Sequence, residues 1–181
     1  MCGVAGFLTH IKTDDPSSIV VRMTDAVVHR GPDDAGVWTD NNAGVALAHR
    51  RLSILDRSAA GHQPMLSPSG RYVMVFNGEI YNHLALREEI GGNGWRGHSD
   101  TETLLAGFER WGVEGTLKKC VGMFAIALWD RETRTLTLAR DRLGEKPLYY
   151  GWQGETFLFG SELKARKGHP AFRAGIDRDA L

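Results

Sequence analysis

The sequence predicts an α+β domain in which antiparallel sheets are covered by helices. Three observations carry this. Short apolar or alternating runs come in pairs joined by polar turns, as in Gly122–Trp129 and Thr133–Arg140 about Asp130-Arg131-Glu132, the pattern of hairpins. Two or three amphipathic stretches of helical period lie between the pairs. Strand and helix patterns do not alternate as βαβ, so a dinucleotide-binding parallel sheet is not expected.

In chain order, Val4–Leu8 reads as a first strand and Lys12–Pro16 as a turn. Ser17 or Ser18 can cap a helix to about Val28, with Ile19, Met23, Ala26 and Val27 on one face. His29–Gly36 is dense in breakers and reads as a loop. Val37–Thr39 and Gly44–Ala48 form a hairpin about Asp40-Asn41-Asn42, followed by the polar start of His49–Asp56. Ser58–Pro68 is loop, and Arg71–Phe76 is a strand ending on Asn77-Gly78. Leu84–Ile90 and Thr101–Trp111 are helices. After the 122–140 hairpin, Leu148–Trp152 and Thr156–Phe159 form another, and Ser161–Arg166 a helical turn. Asp177–Leu181 has the look of a helix start, which suggests a longer chain.

The 181 residues suffice for one sizeable core. Lysine plus arginine equals aspartate plus glutamate at 22 each, so nothing provides a basic field for nucleic acid or an anionic membrane. No apolar run approaches a membrane span, and no basic leader region precedes the short apolar start. A cytoplasmic location is the expectation. The two cysteines, Cys2 and Cys120, lack metal-ligand spacing, and a disulfide is not expected in that compartment. Cys120 reads as packing.

Cys2 follows directly on Met1. Removal of Met1 would place a thiol and a free α-amine on one residue. That amine, of ordinary pKa about 7.7–8.0, can take the thiol proton and later return it to a leaving amine. The competing reading makes Cys2 a small apolar strand residue. Three stretches supply what such a nucleophile needs. Asn77 and Gly78 can aim a side-chain and a backbone N–H at one oxygen, although Asn-Gly is often a turn. Arg51 has a planar fork suited to a carboxylate, or is a surface charge, and its neighbour Arg50 leaves that choice open by one position. Asp100 can hold an ammonium, or merely begin a helix. Together the two clamps point to a free amino acid.

These stretches resemble the class II glutamine amidotransferase domain of the N-terminal-nucleophile hydrolases. The resemblance rests on Met1–Gly6, His29–Asp33, His49 with Arg51–Ile54, Phe76–Asn82, Gly97–Glu102, Gly122–Ala125 and Ala139–Tyr150, in that order. It is similar above all to the glutaminase half of bacterial glutamine-hydrolysing asparagine synthetases. The resemblance implies an αββα sandwich over residues 1–168, with 169–181 a linker and the start of a synthetase domain. It implies Cys2 as nucleophile and Asn77 and Gly78 as oxyanion donors. Arg51 would bind the glutamine carboxylate, Leu52, Ser53, Ile54 and Leu55 would line the pocket, and Glu79 and Asp100 would hold the α-ammonium. His29, Arg30, Asp33 and His49 would fix loops. L-glutamine would be the substrate and a synthetase domain of the same chain the partner. No metal or organic cofactor is expected here; ATP and Mg²⁺ belong to the synthetase domain. Aspartate is the favoured amide acceptor, and a homodimer is left open.

Overall fold

The computed structural model describes residues 1–53, 58–92 and 94–175. Its elements are β1 (Gly3–Thr9), α1 (Pro16–Asp25), β2 (Asp34–Asp40), β3 (Val45–Arg51), β4 (Met65–Leu66) and β5 (Tyr72–Ile80). α2 (His83–Ile90) and α3 (Asp100–Lys119) follow, then β6 (Gly122–Asp130), β7 (Thr135–Arg140), β8 (Tyr149–Gln153), β9 (Thr156–Gly160) and α4 (Leu163–Lys167). One antiparallel sheet has the order β2-β3-β1-β9-β8 and the other β4-β5-β6-β7.

Side-chain alternation along the strands builds the layers. Val4, Val45, Leu47, Val73, Val75, Ala125, Ala127 and Trp129 meet between the sheets. Ala5, Phe7, Ala46 and Ala48 face the other way, onto Val20, Met23 and Val27 of the α1 segment. Met74, Phe76, Ile126 and Leu128 face Leu104, Leu105 and Phe108 of α3. Strands buried on both faces are apolar nearly throughout, and each fully buried large side chain contributes about 1.5–3 kcal/mol. The result is the αββα sandwich. Gly6 sits where a Cβ would lie 2.3 Å from the Phe159 ring, so its room serves core packing.

Several boundaries differ from the sequence reading. α1 is capped by Asp15, which accepts from the Ser18 N–H at 2.9 Å, with Pro16 in the first turn; proline favours that position because its missing donor is not needed there. The helix stops at Asp25, short of Val28. β2 starts at Asp34 because Asp34–Gly36 pair with Arg51–His49, so the supposed polar start at His49 is the end of β3. β5 continues through Asn77 and Gly78 to Ile80, held by pairing with Gly122–Ala125. The helix expected to end at Trp111 does break there, at Gly112 (φ 72°, ψ 171°), and a second helical piece not expected from the sequence follows within α3. That piece packs Val113 and Leu117 on the core. Cys120 is only half-buried, its thiol 3.2 Å from Thr116 O, and both cysteines are free.

Beyond α4 the chain stays on the same surface. The His169 ring meets Phe7 edge-on at 4.7 Å, Phe172 packs beside the α1 layer, and the Arg173 N–H donates to Gln153 Oε1 at 2.7 Å. The suggested helix start at 177–181 lies outside the described residues. No helix among the described residues is long and apolar enough to cross a membrane.

Candidate active site

The alternation that makes the inter-sheet core also makes the site. Cys2 has the parity of Val4; Arg51 that of Val45 and Leu47; Asn77 and Glu79 that of Val73 and Val75. At one end of the sandwich these inward positions change from apolar to reactive. They open on a cleft of about 110 Å³ lined in part by Met1, Cys2, Arg51, Leu52, Asn77, Gly78, Glu79 and Asp100. Arg50, of opposite parity, pairs with Asp25 on the α1 side. Of the two arginines, Arg51 is the one that faces the cleft.

Cys2 is held from both sides. Arg30 Nε donates to its carbonyl at 2.9 Å, and Arg30 itself pairs with Glu162 at 3.1 Å. The sulfur lies 3.4 Å from the Leu52 N–H and 3.7 Å from the Leu52 carbonyl oxygen. Burial pushes the thiol above its ordinary value; the Leu52 N–H, the nearby terminal amine and Arg51 oppose that rise, and Asp100 adds to it. A thiol so placed needs a base before it can attack.

The donors expected at Asn77 and Gly78 are oriented by the phase of the β5–β6 ladder. Phe124 directs its N–H and C=O to Asp141, at 3.2 and 2.8 Å, so it does not bond its opposite residue, Gly78. Gly78 therefore turns its N–H to the other edge of β5, as do Phe76 and Ile80. Those two are satisfied there, by Gln63 Oε1 at 2.7 Å and Asp100 Oδ2 at 2.9 Å. Between them the Gly78 N–H has no such acceptor among the described residues. Asn77 is 1% exposed, and its side-chain NH₂ is buried without a partner among the described residues. Two unused donors on neighbouring residues at a cleft are an anion-accepting arrangement. Glycine is required at 78, since a Cβ would sit 2.3 Å from the Met123 carbonyl oxygen.

Asp100 opens α3 after the Ser99 cap and is 5% exposed. Burial raises its carboxyl to about 6, against the N–H groups of Ile80, Thr101 and its own backbone; Glu79 adds to the rise. Arg87 steadies the preceding loop through Gly97 O at 2.8 Å and Ser99 O at 2.7 Å. Arg51 is 8% exposed, with Nη1 3.0 Å from Ser58 O and 4.0 Å from Asp34.

Some expected positions differ. Ser53 is not among the described residues that line the cleft; its N–H donates to Asp33 Oδ2 at 2.8 Å, which ties the loop down. Ile54 and Leu55 lie outside the described residues. His49 fixes a strand: its Nε2–H donates to Phe76 O at 3.0 Å across the sheets. His29 and Arg30 share Glu162. The cleft also includes Gln63, Thr101, Met123 and Lys146, to which the sequence reading gave no role. Lys146 is 7% exposed and reaches Met1 Sδ at 3.5 Å. Its place inside the 139–150 stretch was the available signal.

Burial lowers His49 to about 4 from 6.5, despite its bond to Phe76 O. Between those values the unfolded chain binds a proton that the folded chain does not, so stability rises with pH. The expected loss from pH 6.5 to 4 is on the order of 3 kcal/mol. Asp100 has the opposite sign: between 3.8 and about 6 the folded state holds the extra proton. Urea unfolding of the wild type and His49→Gln at pH 7 and 4.5 separates the two. The variant is expected to lose less stability on acidification.

A family model described as "Glutamine amidotransferase domain" matches residues 1–181. The chain belongs to that family. Asparagine synthetase [glutamine-hydrolyzing] 3 of Bacillus subtilis (strain 168) is 40% identical over 189 residues, which cover 100% of this chain and 30% of that protein. A putative asparagine synthetase [glutamine-hydrolyzing] of Mycobacterium bovis is 41% identical over 91% of this chain and 27% of its own length. This glutamine amidotransferase domain thus spans about a third or less of the curated relatives it matches. A solved structure of B. subtilis glutamine phosphoribosylpyrophosphate amidotransferase superposes with a TM-score of 0.76 at 22% identity, covering 91% of this chain and 42% of that one. That likeness establishes the shared amidotransferase fold.

Proposed function

We propose that this domain hydrolyses L-glutamine to glutamate and ammonia through Cys2. The observation that carries the reading is the pair of donors without an acceptor among the described residues, Asn77 Nδ2 and, by the ladder phase, Gly78 N–H, on the cleft that also holds the Cys2 thiol. With Met1 removed, the Cys2 α-amine takes the thiol proton, and the sulfur attacks the side-chain amide carbon. The oxyanion forms against Asn77 and Gly78. The amine proton passes to the leaving nitrogen as the C–N bond breaks, giving a thioester and ammonia. Water, deprotonated by the same amine, then attacks the thioester; glutamate leaves and the thiol is restored. Arg51 receives the α-carboxylate, and Asp100 with Glu79 receives the α-ammonium. Asp100, at about 6, is mostly ionised at pH 7, as that contact needs.

Hydrolysis alone would release ammonia into water, where it is mostly protonated. The relatives' names, together with the part of their length this chain spans, support a linked synthetase domain that consumes the ammonia internally. ATP and Mg²⁺ would act there, with aspartate the favoured acceptor. A cytoplasmic location fits such a reaction.

The test compares protein beginning at Cys2 with protein retaining Met1, each verified by intact mass. Glutamate release is expected only from the first. In the second the amine is on the wrong residue and the Met1 side chain lines the cleft. Equal release by both would reject the mechanism.

A further inference from the structure

β4 is too short to cover the free edge of β5, pairing only with Met74 and Val73. Further along that edge a side chain takes over. Gln63 is 6% exposed, and both ends of its carboxamide are engaged. Its Oε1 accepts from the Phe76 N–H at 2.7 Å, and its Nε2 donates to Thr101 Oγ1 at 3.2 Å. Phe76 immediately precedes Asn77, and Thr101 immediately follows Asp100. One side chain thus bridges the strand that carries the oxyanion donors and the helix start that carries the ammonium-binding carboxylate. Gln63 also lines the cleft between them. An uncharged amide is suited to this place, because it supplies an acceptor and a donor at once and adds no charge beside the buried Asp100.

We propose that Gln63 is a positioning residue that fixes the distance between the two ends of the bound amino acid. The proposal rests on the amidotransferase reading above. With the α-ammonium seated at Asp100, the span held by Gln63 sets where the side-chain carbonyl meets Asn77 and Gly78. Misplacement by about 1 Å at a reacting centre can cost on the order of 10²-fold in rate. The contribution of the α-ammonium to rate therefore depends on Gln63.

The experiment uses the processed full chain and two substrates, glutamine and 4-carbamoylbutanoate, which lacks only the α-amine. The readout is the ratio of their kcat/KM values. Gln63→Met fills the volume without either hydrogen bond, and is expected to reduce the wild-type ratio by about tenfold or more, mainly through kcat on glutamine. Thr101→Ser keeps the hydroxyl that accepts from Gln63 Nε2, and is expected to keep the ratio within about threefold of wild type. A merely structural Gln63 would slow both substrates alike. An unchanged ratio in Gln63→Met, or a Thr101→Ser no better than Gln63→Met, overturns the proposal. If Gln63→Met does not fold, Thr101→Val removes one of the two bonds and carries the same comparison. Wild-type protein without activity on glutamine would reject the amidotransferase reading itself, whereas an unchanged ratio in an active series rejects only the role of Gln63.

Discussion

Cys2→Ala is expected to lower glutamate release by about 10⁴-fold or more while leaving glutamine binding nearly intact. The reason is that no other thiol lines the cleft among the described residues, and the Ser99 and Thr101 hydroxyls there are engaged in the α3 cap and by Gln63. Asp100 and Glu79 are proposed to hold the substrate ammonium. The change removes the sulfur's two polar contacts with the Leu52 backbone, at 3.4 and 3.7 Å. Binding should persist, since Arg51 and Asp100 are untouched. Steady-state ammonia release and glutamine binding by calorimetry, both on protein lacking Met1, check the two halves. Undiminished turnover in Cys2→Ala would remove the nucleophile assignment; lost binding with a lowered unfolding temperature would assign Cys2 to the fold.

Asn77→Ala carries the second-largest effect, a fall of about 10²–10³ in kcat with KM within about threefold. Its stability should move the other way. The Asn77 side-chain NH₂ is buried and has no partner among the described residues, and an unsatisfied buried donor costs about 1–3 kcal/mol. Deleting it is expected to leave the melting temperature unchanged or higher, after the cost of the small cavity is set against the removed donor. A protein that gains stability while losing turnover has given up a group held for the transition state. If Asn77→Ala instead melts well below wild type with kcat intact, Asn77 is a structural amide and the oxyanion assignment fails.

The hairpins and helices were legible because hydrophobic period and turn residues are local. The misplaced boundaries are those set by distant partners. β5 runs through Asn77-Gly78 because Gly122–Ala125 pair with it; nothing within the Asn-Gly dipeptide separates a turn from a strand interior. The first helical piece of α3 ends at Gly112, as a glycine at positive φ does locally, but that a second piece follows is decided by Val113 and Leu117 finding the core. Gln63 lies in a loop, where its burial against Phe76 and Thr101 leaves no periodic trace in the sequence.

The order of reactive residue types along the chain determined the family and pointed to the chemistry proposed for it. A cysteine behind the first methionine, an adjacent asparagine and glycine, an arginine and an aspartate each keep their intrinsic donors, acceptors and charge wherever they lie. The tertiary structure alone decided which of them converge. Strand parity put Arg51 in the cleft and Arg50 on the opposite face, and the ladder phase turned the Gly78 N–H away from β6. Burial raised Asp100 to about 6. Parity, ladder phase and burial are relations between segments far apart in the chain, so no window of sequence contains them.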